Sequence, residues 1–276
     1  MRTDFVKMHG LGNDFVVLHA PTGGATLDAA GWRALADRHR GIGFDQALVI
    51  EPARRDGTEA FYRIFNADGA EVEQCGNGAR CIAELLRLEG RATNGVVAME
   101  CPGGLVNARF GSSGQVAVDM GEPRFDAAAL PFTSDRPGHR QEIAVDGEAV
   151  RFGIVSMGNP HAVIDVVDVD AAPVARLGPR IESHARFPRR VNVGFLQLLD
   201  RRHGKLRVFE RGAGETQACG TGACAAMAVA RLEGRVDDAV ELTLPGGTLT
   251  IRWAGPGNPL WLEGPAEVSF RGNVDL

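Results

Sequence analysis

Two cysteines open the same short pattern 144 residues apart, Cys75-Gly76-Asn77-Gly78 and Cys219-Gly220-Thr221-Gly222, and each leads into a run of helical length. At a helix start the partial positive end of the helix and its unpaired N–H groups stabilise a thiolate and lower its pKa. The neighbouring glycines let a ligand approach those amides, so each start can also hold a carboxylate. A single cysteine in this position is more often a passive small residue. Two at equivalent positions of a duplicated chain point to function, because a pseudo-twofold would bring them face to face across an inter-lobe cleft. Facing acid/bases take a proton from one side of a carbon and return one to the other, which is racemisation or epimerisation. The carbanion formed on the way needs stabilisation, and two helix N-termini converging on the α-carboxylate supply it without a cofactor. A closed, dry cleft strengthens that effect.

The other reactive residues constrain this reading. The only lysines are Lys7, in a Met-His-Gly context, and Lys205, on a charged strand start beside His203 and Gly204, and neither has the setting of a Schiff-base lysine. Asn13, Asn66, Asn159 and Asn192 all border strand-like runs, where an asparagine can bind a polar substrate or simply form a turn. Asn66 occupies the repeat position of Glu210, which with Arg211 makes a charged pair at a strand end. His161, in Gly158-Asn159-Pro160-His161, either poises a cysteine or is a satisfied loop histidine. Cys81, Cys101 and Cys224 have no cysteine at the matching repeat position and are expected in the core. Five cysteines, an odd number without a signal peptide, argue against a disulfide framework, and their spacings miss those of structural zinc. No metal is expected.

The elements that position these residues follow from the repeat. Laying residues 63–91 on 207–235 gives twelve identities: Arg63/Arg207, Phe65/Phe209, Glu71/Glu215, Cys75/Cys219, Gly76/Gly220, Gly78/Gly222, Ala79/Ala223 and the five residues Arg87 to Arg91 on Arg231 to Arg235. About two or three would arise from residue frequencies alone. Pro102-Gly103-Gly104 repeats as Pro245-Gly246-Gly247, and Gly12-Asn13 as Gly158-Asn159. Each half reads strand, polar Gly-rich loop, helix, strand. The helices are expected over Gly76 to Glu89 and Gly220 to Glu233, with Gly90 and Gly234 as C-terminal caps. The second is small or apolar on almost every face, so it is buried, with a curled sheet around it. Asp14 to Leu18, Ala47 to Ile50, Gln115 to Asp119, Val163 to Val167 and Val193 to Leu198 are strand-like and can supply the wrapping. The class is α+β, without a βαβ rhythm or a dinucleotide fingerprint.

Composition excludes several functions. With 276 residues, 44% hydrophobic and 24% charged, the chain is large enough for one big or two modest cores. A net charge of -5, with arginines scattered among carboxylates, disfavours a nucleic-acid partner. The longest apolar run, Ala223 to Ala230, falls far short of the roughly 20 residues that span a bilayer. A cytoplasmic protein with no membrane partner is expected.

These residues also carry a resemblance. The chain resembles the diaminopimelate epimerase family of cofactor-independent racemases in Lys7-Met8-His9-Gly10-Leu11-Gly12-Asn13-Asp14-Phe15, Phe65-Asn66-Ala67-Asp68-Gly69 leading to Cys75, Met157 to His161, Val191-Asn192-Val193-Gly194-Phe195, and Glu210-Arg211-Gly212-Ala213-Gly214-Glu215-Thr216 leading to Cys219. The segments stand in the family's order and span nearly the whole chain. The resemblance implies two pseudo-symmetric lobes, each a β-barrel-like mixed sheet wrapped around a central buried helix. Residues 1–120 would carry Cys75, residues 121–265 would carry Cys219, and the tail 266–276 would pack back on the first lobe. It implies a homodimer, no cofactor, and interconversion of LL- and meso-2,6-diaminoheptanedioate in lysine biosynthesis.

By the same resemblance Cys219 is the thiolate base in the LL to meso direction and Cys75 the thiol that reprotonates the opposite face. Gly76, Asn77, Gly220 and Thr221 would hold the reacting carboxylate, and His161 and Glu210 would lie near the reacting amine and tune the cysteines. Asn13, Gln46, Asn66, Asn159, Asn192 and Arg211 would bind the remaining groups. Phe44 before Asp45-Gln46, and Gln74 before Cys75, depart from the family's usual residues beside binding positions, so altered packing with unchanged chemistry is expected. The alternative within the fold is a proline or hydroxyproline epimerase, against which the long polar handle of Asn66, Asn192 and Arg211 argues. A cysteine hydrolase using Cys219 and His161 would leave Cys75 and the duplication unexplained.

Overall fold

The computed structural model describes residues 2–20, 27–73, 75–111, 114–126, 130–134 and 137–276. Gln74 lies outside them. The chain divides into two compact units, Met1–Asp119 with Gly264–Leu276, and Met120–Glu263.

In the first unit the strands are β1 (Arg2–Gly10), β2 (Asn13–His19), β3 (Gln46–Glu51), β4 (Ala60–Asn66), β5 (Glu71–Val72), β6 (Val96–Cys101), β7 (Gly104–Phe110) and β8 (Val116–Asp119), with helices α1 (Ala29–Ala36) and α2 (Gly76–Leu88). In the second they are β9 (Arg140–Val145), β10 (Glu148–Ser156), β11 (Pro160–Asp165), β12 (Asn192–Leu198), β13 (His203–Glu210), β14 (Gly214–Glu215), β15 (Ala239–Leu244), β16 (Gly247–Arg252) and β17 (Trp261–Gly264), with helices α3 (Val174–Glu182) and α4 (Gly220–Leu232). The last strand, β18 (Glu267–Asp275), belongs to the first unit.

Strand pairing repeats between the units. The first has β18 antiparallel to β1, the β1–β2 hairpin, β2 parallel to β3, β3 antiparallel to β4, β4 parallel to β6, then β6–β7 and β7–β8 antiparallel. The second has β9 antiparallel to β10, the β10–β11 hairpin, β11 parallel to β12, β12 antiparallel to β13, β13 parallel to β15, then β15–β16 and β16–β17 antiparallel. The strands of the two units thus follow one order and one set of directions. They differ at one edge, where the first unit takes its strand from the far end of the chain.

The duplicated residues perform duplicated tasks. Arg63 grips Glu71 with two bonds of 2.7 Å across the β4–β5 hairpin, and Arg207 grips Glu215 at 2.6 and 3.0 Å across β13–β14. Each clamp holds the short hairpin that delivers the chain to a cysteine. Gly90 and Gly234 take φ of 76° and 70°, the left-handed conformation that ends each helix.

Both repeated helices are buried against their own sheets, α2 from Gly76 to Leu86 and α4 along nearly its whole length. Small residues let α4 come close. A Cβ at Gly153 on β10 would meet Val229 Cγ1 at 2.5 Å, so the glycine is what allows helix and strand to touch. The α+β reading, with a mixed sheet around a central helix in each half, holds. Two helices outside the repeat, α1 and α3, extend it. Helix α1 caps on Asp28, whose side chain accepts from Gly31 N, and buries Trp32 against Phe65 at 4.8 Å between ring centroids. Helix α3 carries Pro179 within it and lays Gly178 on the Phe209 ring, 2.6 Å from where a Cβ would stand. Phe44 fills the same core as Trp32, consistent with a packing role.

Candidate active site

In the first unit the register of three strands lines up the polar residues singled out above. Asn13 starts β2 after a two-residue turn in which Leu11 and Gly12 have φ of 57° and 82°. Gln46 starts β3, pairs in register with Phe15 and Asn66, and donates from Nε2 to Asn66 Oδ1 at 2.8 Å. Cys75 is the N-cap of α2, extended at φ -145° and ψ 114°, and its Sγ accepts from Gly78 N at 3.4 Å. Asn77, buried in the first turn of α2, donates from Nδ2 to Asn13 Oδ1 at 3.1 Å. Asn13, Asn77 and Cys75 are therefore tied together through one helix start, with Gln46 and Asn66 adjoining along the sheet.

An ionic lattice underpins this end of the sheet. Lys7, buried on β1, meets Asp14 at 2.6 Å and also donates to Gly43 O. Arg38 binds Asp14 through both terminal nitrogens, at 2.9 and 2.7 Å, and Asp45 at 2.8 Å. Burial opposes the Asp14 charge, yet hydrogen bonds from Arg38 and Lys7 outweigh it and hold the carboxyl well below its usual range. Lys7 is thus a structural ion-pair partner, a role its sequence context did not indicate. Asp45 in turn accepts from Asn13 Nδ2 at 3.1 Å, so the lattice reaches a site residue.

The second unit builds its counterpart differently. Asn159 lies in the β10–β11 turn, donates from Nδ2 to Thr221 Oγ1 at 3.3 Å, and presents Oδ1 to His161 Nε2 at 2.9 Å. His161 pairs in register with Asn192, whose Nδ2 donates to Pro160 O at 3.1 Å and whose Oδ1 accepts from Arg211 N at 2.9 Å. Cys219 is the N-cap of α4, with Sγ 3.7 Å from Thr221 Oγ1. The Glu210 carboxylate accepts from the Thr216 hydroxyl.

Electrostatics here depart from one expectation. Burial, first, and the nearby Glu210 carboxylate push the Cys219 thiol well above the usual range, outweighing the Thr221 hydroxyl and the Gly222 N–H of the helix start, which lower it. Desolvation of a fully enclosed sulfur outweighs a few partial charges on N–H groups. Cys81, up to about 12, and Cys101 are also raised, again chiefly by burial. Together with Cys224 they are buried core thiols.

Of the two options for His161, a tuning group or a satisfied histidine, the structure favours a buried, neutral ring. Burial, with the Arg211 charge, holds its pKa down to about 3 from an ordinary 6.5. Below pH 6.5 the unfolded chain takes up a proton that the native site refuses, until the native site itself titrates near 3. Stability therefore falls on acidification across that window, by at most ~1.4 kcal/mol per pH unit from this group. Urea unfolding of His161→Gln at pH 4 to 6.5 is expected to show a shallower pH slope than the unsubstituted chain; an equal slope would refute it.

Comparison with known proteins agrees with these local structures. The family model described as "Diaminopimelate epimerase" matches residues 5–125 and 153–268. The chain belongs to the diaminopimelate epimerase family. Members named diaminopimelate epimerase are 51% identical over 272 residues in Stutzerimonas stutzeri, covering 99% of each chain, and 50% identical over 278 residues in Alkalilimnicola ehrlichii, covering 100% of each. Among solved structures, a hydroxyproline epimerase from Agrobacterium vitis superposes with a TM-score of 0.72 at 18% identity, covering 99% of this chain and 92% of that one. A PhzF-family phenazine biosynthesis protein from Bacillus anthracis gives 0.67 at 14% identity over 100% of both. These last two share the fold.

For a diaminopimelate epimerase family member, sequence reasoning missed four supporting residues, Lys7, Asp14, Glu182 and Arg80. Lys7 and Asp14 lie within the Lys7 to Phe15 segment but draw attention only once Arg38 is seen between Asp14 and Asp45. Glu182, buried on α3, accepts from Gly212 N at 2.8 Å and from Arg190 Nη1 at 3.3 Å, and so holds the turn that carries Glu210 and Arg211. Arg80 follows Asn77 by three residues, and that i,i+3 spacing was the available signal.

Proposed function

We infer that this chain interconverts LL- and meso-2,6-diaminoheptanedioate by a two-base mechanism without a cofactor, in lysine biosynthesis. The observation that carries the reading is identity of about 50% to diaminopimelate epimerases over essentially their full length. A cysteine at the N-cap of each duplicated helix supports the two-base form. Homodimerisation belongs to the same reading through the family resemblance, and a cytoplasmic location through the short apolar runs of the sequence; no helix among the described residues is long and apolar enough to cross a membrane.

In the LL to meso direction Cys219, as thiolate, removes the α-proton, and the Cys75 thiol delivers a proton to the opposite face. The step ends with Cys219 as thiol and Cys75 as thiolate, and exchange with solvent restores the starting state. The backbone amides of Gly76, Asn77, Gly220 and Thr221 stabilise charge that spreads onto the carboxylate as the carbon loses its proton. The substrate ammonium completes the set. Placed against Glu210, it offsets the negative charge that raises the Cys219 thiol, so substrate binding itself favours the reactive thiolate. His161, being neutral, acts through hydrogen bonding. Asn13, Gln46, Asn66, Asn159, Asn192 and Arg211 hold the remaining amino and carboxylate groups, and substrates lacking them leave polar groups unpaired.

Incubation with LL-diaminopimelate in deuterated water, without pyridoxal phosphate, tests the reading. Meso product carrying deuterium at the inverted α-carbon is expected. Absence of both deuterium incorporation and meso product would sink it. Turnover of proline or hydroxyproline in its place would favour the alternative within the fold.

A further inference from the structure

Arg80 lies fully buried one turn into α2, a rare place for a guanidinium. Its Nη2 donates to Asn77 Oδ1 at 3.0 Å and its Nε to Pro265 O at 3.4 Å. Gly10 makes the room, since a Cβ there would stand 3.0 Å from Nη2.

A guanidinium only donates, so an amide beside it must turn its oxygen inward. That choice propagates. With Oδ1 turned to Arg80, Asn77 faces Asn13 with its NH2, and it donates to Asn13 Oδ1 at 3.1 Å. Asn13 must then point its own NH2 the other way, where Asp45 Oδ2 accepts at 3.1 Å. The row is pinned by a donor-only group at one end and an acceptor-only carboxylate, itself bound by Arg38, at the other. Neither amide in it can flip without losing a bond.

The second unit shows what happens without the arginine. The repeat puts Cys224 at the position of Arg80, Thr221 at Asn77 and Asn159 at Asn13. There the polarity is reversed, with Asn159 Nδ2 donating toward the helix residue Thr221 and Asn159 Oδ1 turned to His161.

We propose that Arg80 is a positioning residue for substrate binding: through Asn77 it holds Asn13 with its NH2 outward, so that the N–H not directed at Asp45 donates to a carboxylate of the amino-acid substrate. This rests on the reading of Asn13 as a substrate-binding residue. Arg80 touches no substrate itself. The pinned orientation raises affinity because the donor is already aimed before the ligand arrives.

Steady-state epimerisation of LL-diaminopimelate by four variants tests the proposal, with circular dichroism to establish folding. Arg80→Leu is expected to raise KM about tenfold or more, the size of one hydrogen bond to a charged group, with kcat within about threefold. Arg80→Lys keeps a donor-only cation and should stay within about threefold of the original KM. Asn13→Ala should raise KM, and adding Arg80→Leu to it should change KM by less than about twofold, because the two act through one contact. Should Arg80→Leu fail to fold, Asn77→Asp replaces it: a carboxylate still satisfies Arg80 but cannot donate to Asn13, and the same rise in KM is expected. If Asn13→Ala raises KM while folded Arg80→Leu, or Asn77→Asp in its place, does not, the proposal falls and the functional reading stands. Fully additive effects of Arg80→Leu and Asn13→Ala have the same meaning. An unchanged KM in Asn13→Ala removes the binding role of Asn13 and the proposal with it, and no epimerisation by the unsubstituted chain overturns the functional reading itself.

Discussion

Replacing either Cys75 or Cys219 by alanine is expected to lower epimerisation by on the order of 10³-fold or more, the scale at which a positioned acid or base contributes. Inversion needs a proton removed from one face and one supplied to the other, so loss of either thiol blocks it. The two variants should nevertheless differ in an exchange experiment. With LL substrate in deuterated water, Cys75→Ala keeps the base that removes the LL proton and can return deuterium to the same face. It should incorporate deuterium without forming meso product, whereas Cys219→Ala should do neither. Mass spectrometry of recovered substrate distinguishes them. Wild-type turnover in either variant refutes the two-base assignment.

The second large effect is on pH dependence. Burial and the Glu210 charge both raise the Cys219 thiol, so in the substrate-free protein the thiol form dominates at neutral pH. Below its pKa the thiolate fraction grows about tenfold per pH unit, and kcat/KM for the LL substrate, which reports the free enzyme, should climb with that slope from pH 6 to 8. Glu210→Gln removes a like charge and should move the ascending limb to lower pH. In the proposed reading the same change also deletes a substrate-binding group and lowers the plateau; a limb of unit slope reads only the sum of the two, so the profile is followed up to its plateau, where the bend reports the thiol and the height reports binding. A bend that stays in place, or moves to higher pH, would show that Glu210 does not govern the thiol.

Much of this architecture was legible because the duplication preserved the residues that end elements. The glycines after each helix, the Pro-Gly-Gly turns and the Arg–Glu clamps have one geometry in both units, so their identities survive as pairs. Helix α3 was not legible, because Pro179 and Gly178 contradict a helical pattern and only the fit against Phe209 and the Glu182 contacts account for it. Arg80 was hidden for the opposite reason. A charged residue on a helix reads as its exposed face, and its burial is supported by hydrogen bonds to partners such as Asn77 and Pro265. The net rise of the Cys219 thiol was not legible because a helix terminus is visible in sequence whereas the depth of an atom is not. His161 was ambiguous on the same ground, since its enclosure shows only in the fold.

The edge strand β18 has a consequence for synthesis. Residues 120–263 are contiguous and can complete their strand pairing as soon as they emerge, but residues 2–119 leave β1, with Phe5, Val6 and Met8, paired to β2 on one edge only until residues 267–275 have been made. At ribosomal speeds of about 5–20 residues per second, the interval is roughly 10–30 s. Throughout it a nascent chain carries an open, apolar β edge, the kind that recruits strands from other chains. The half that begins translation is therefore the last to close, and the period of greatest exposure to misassembly falls while the other half is being built.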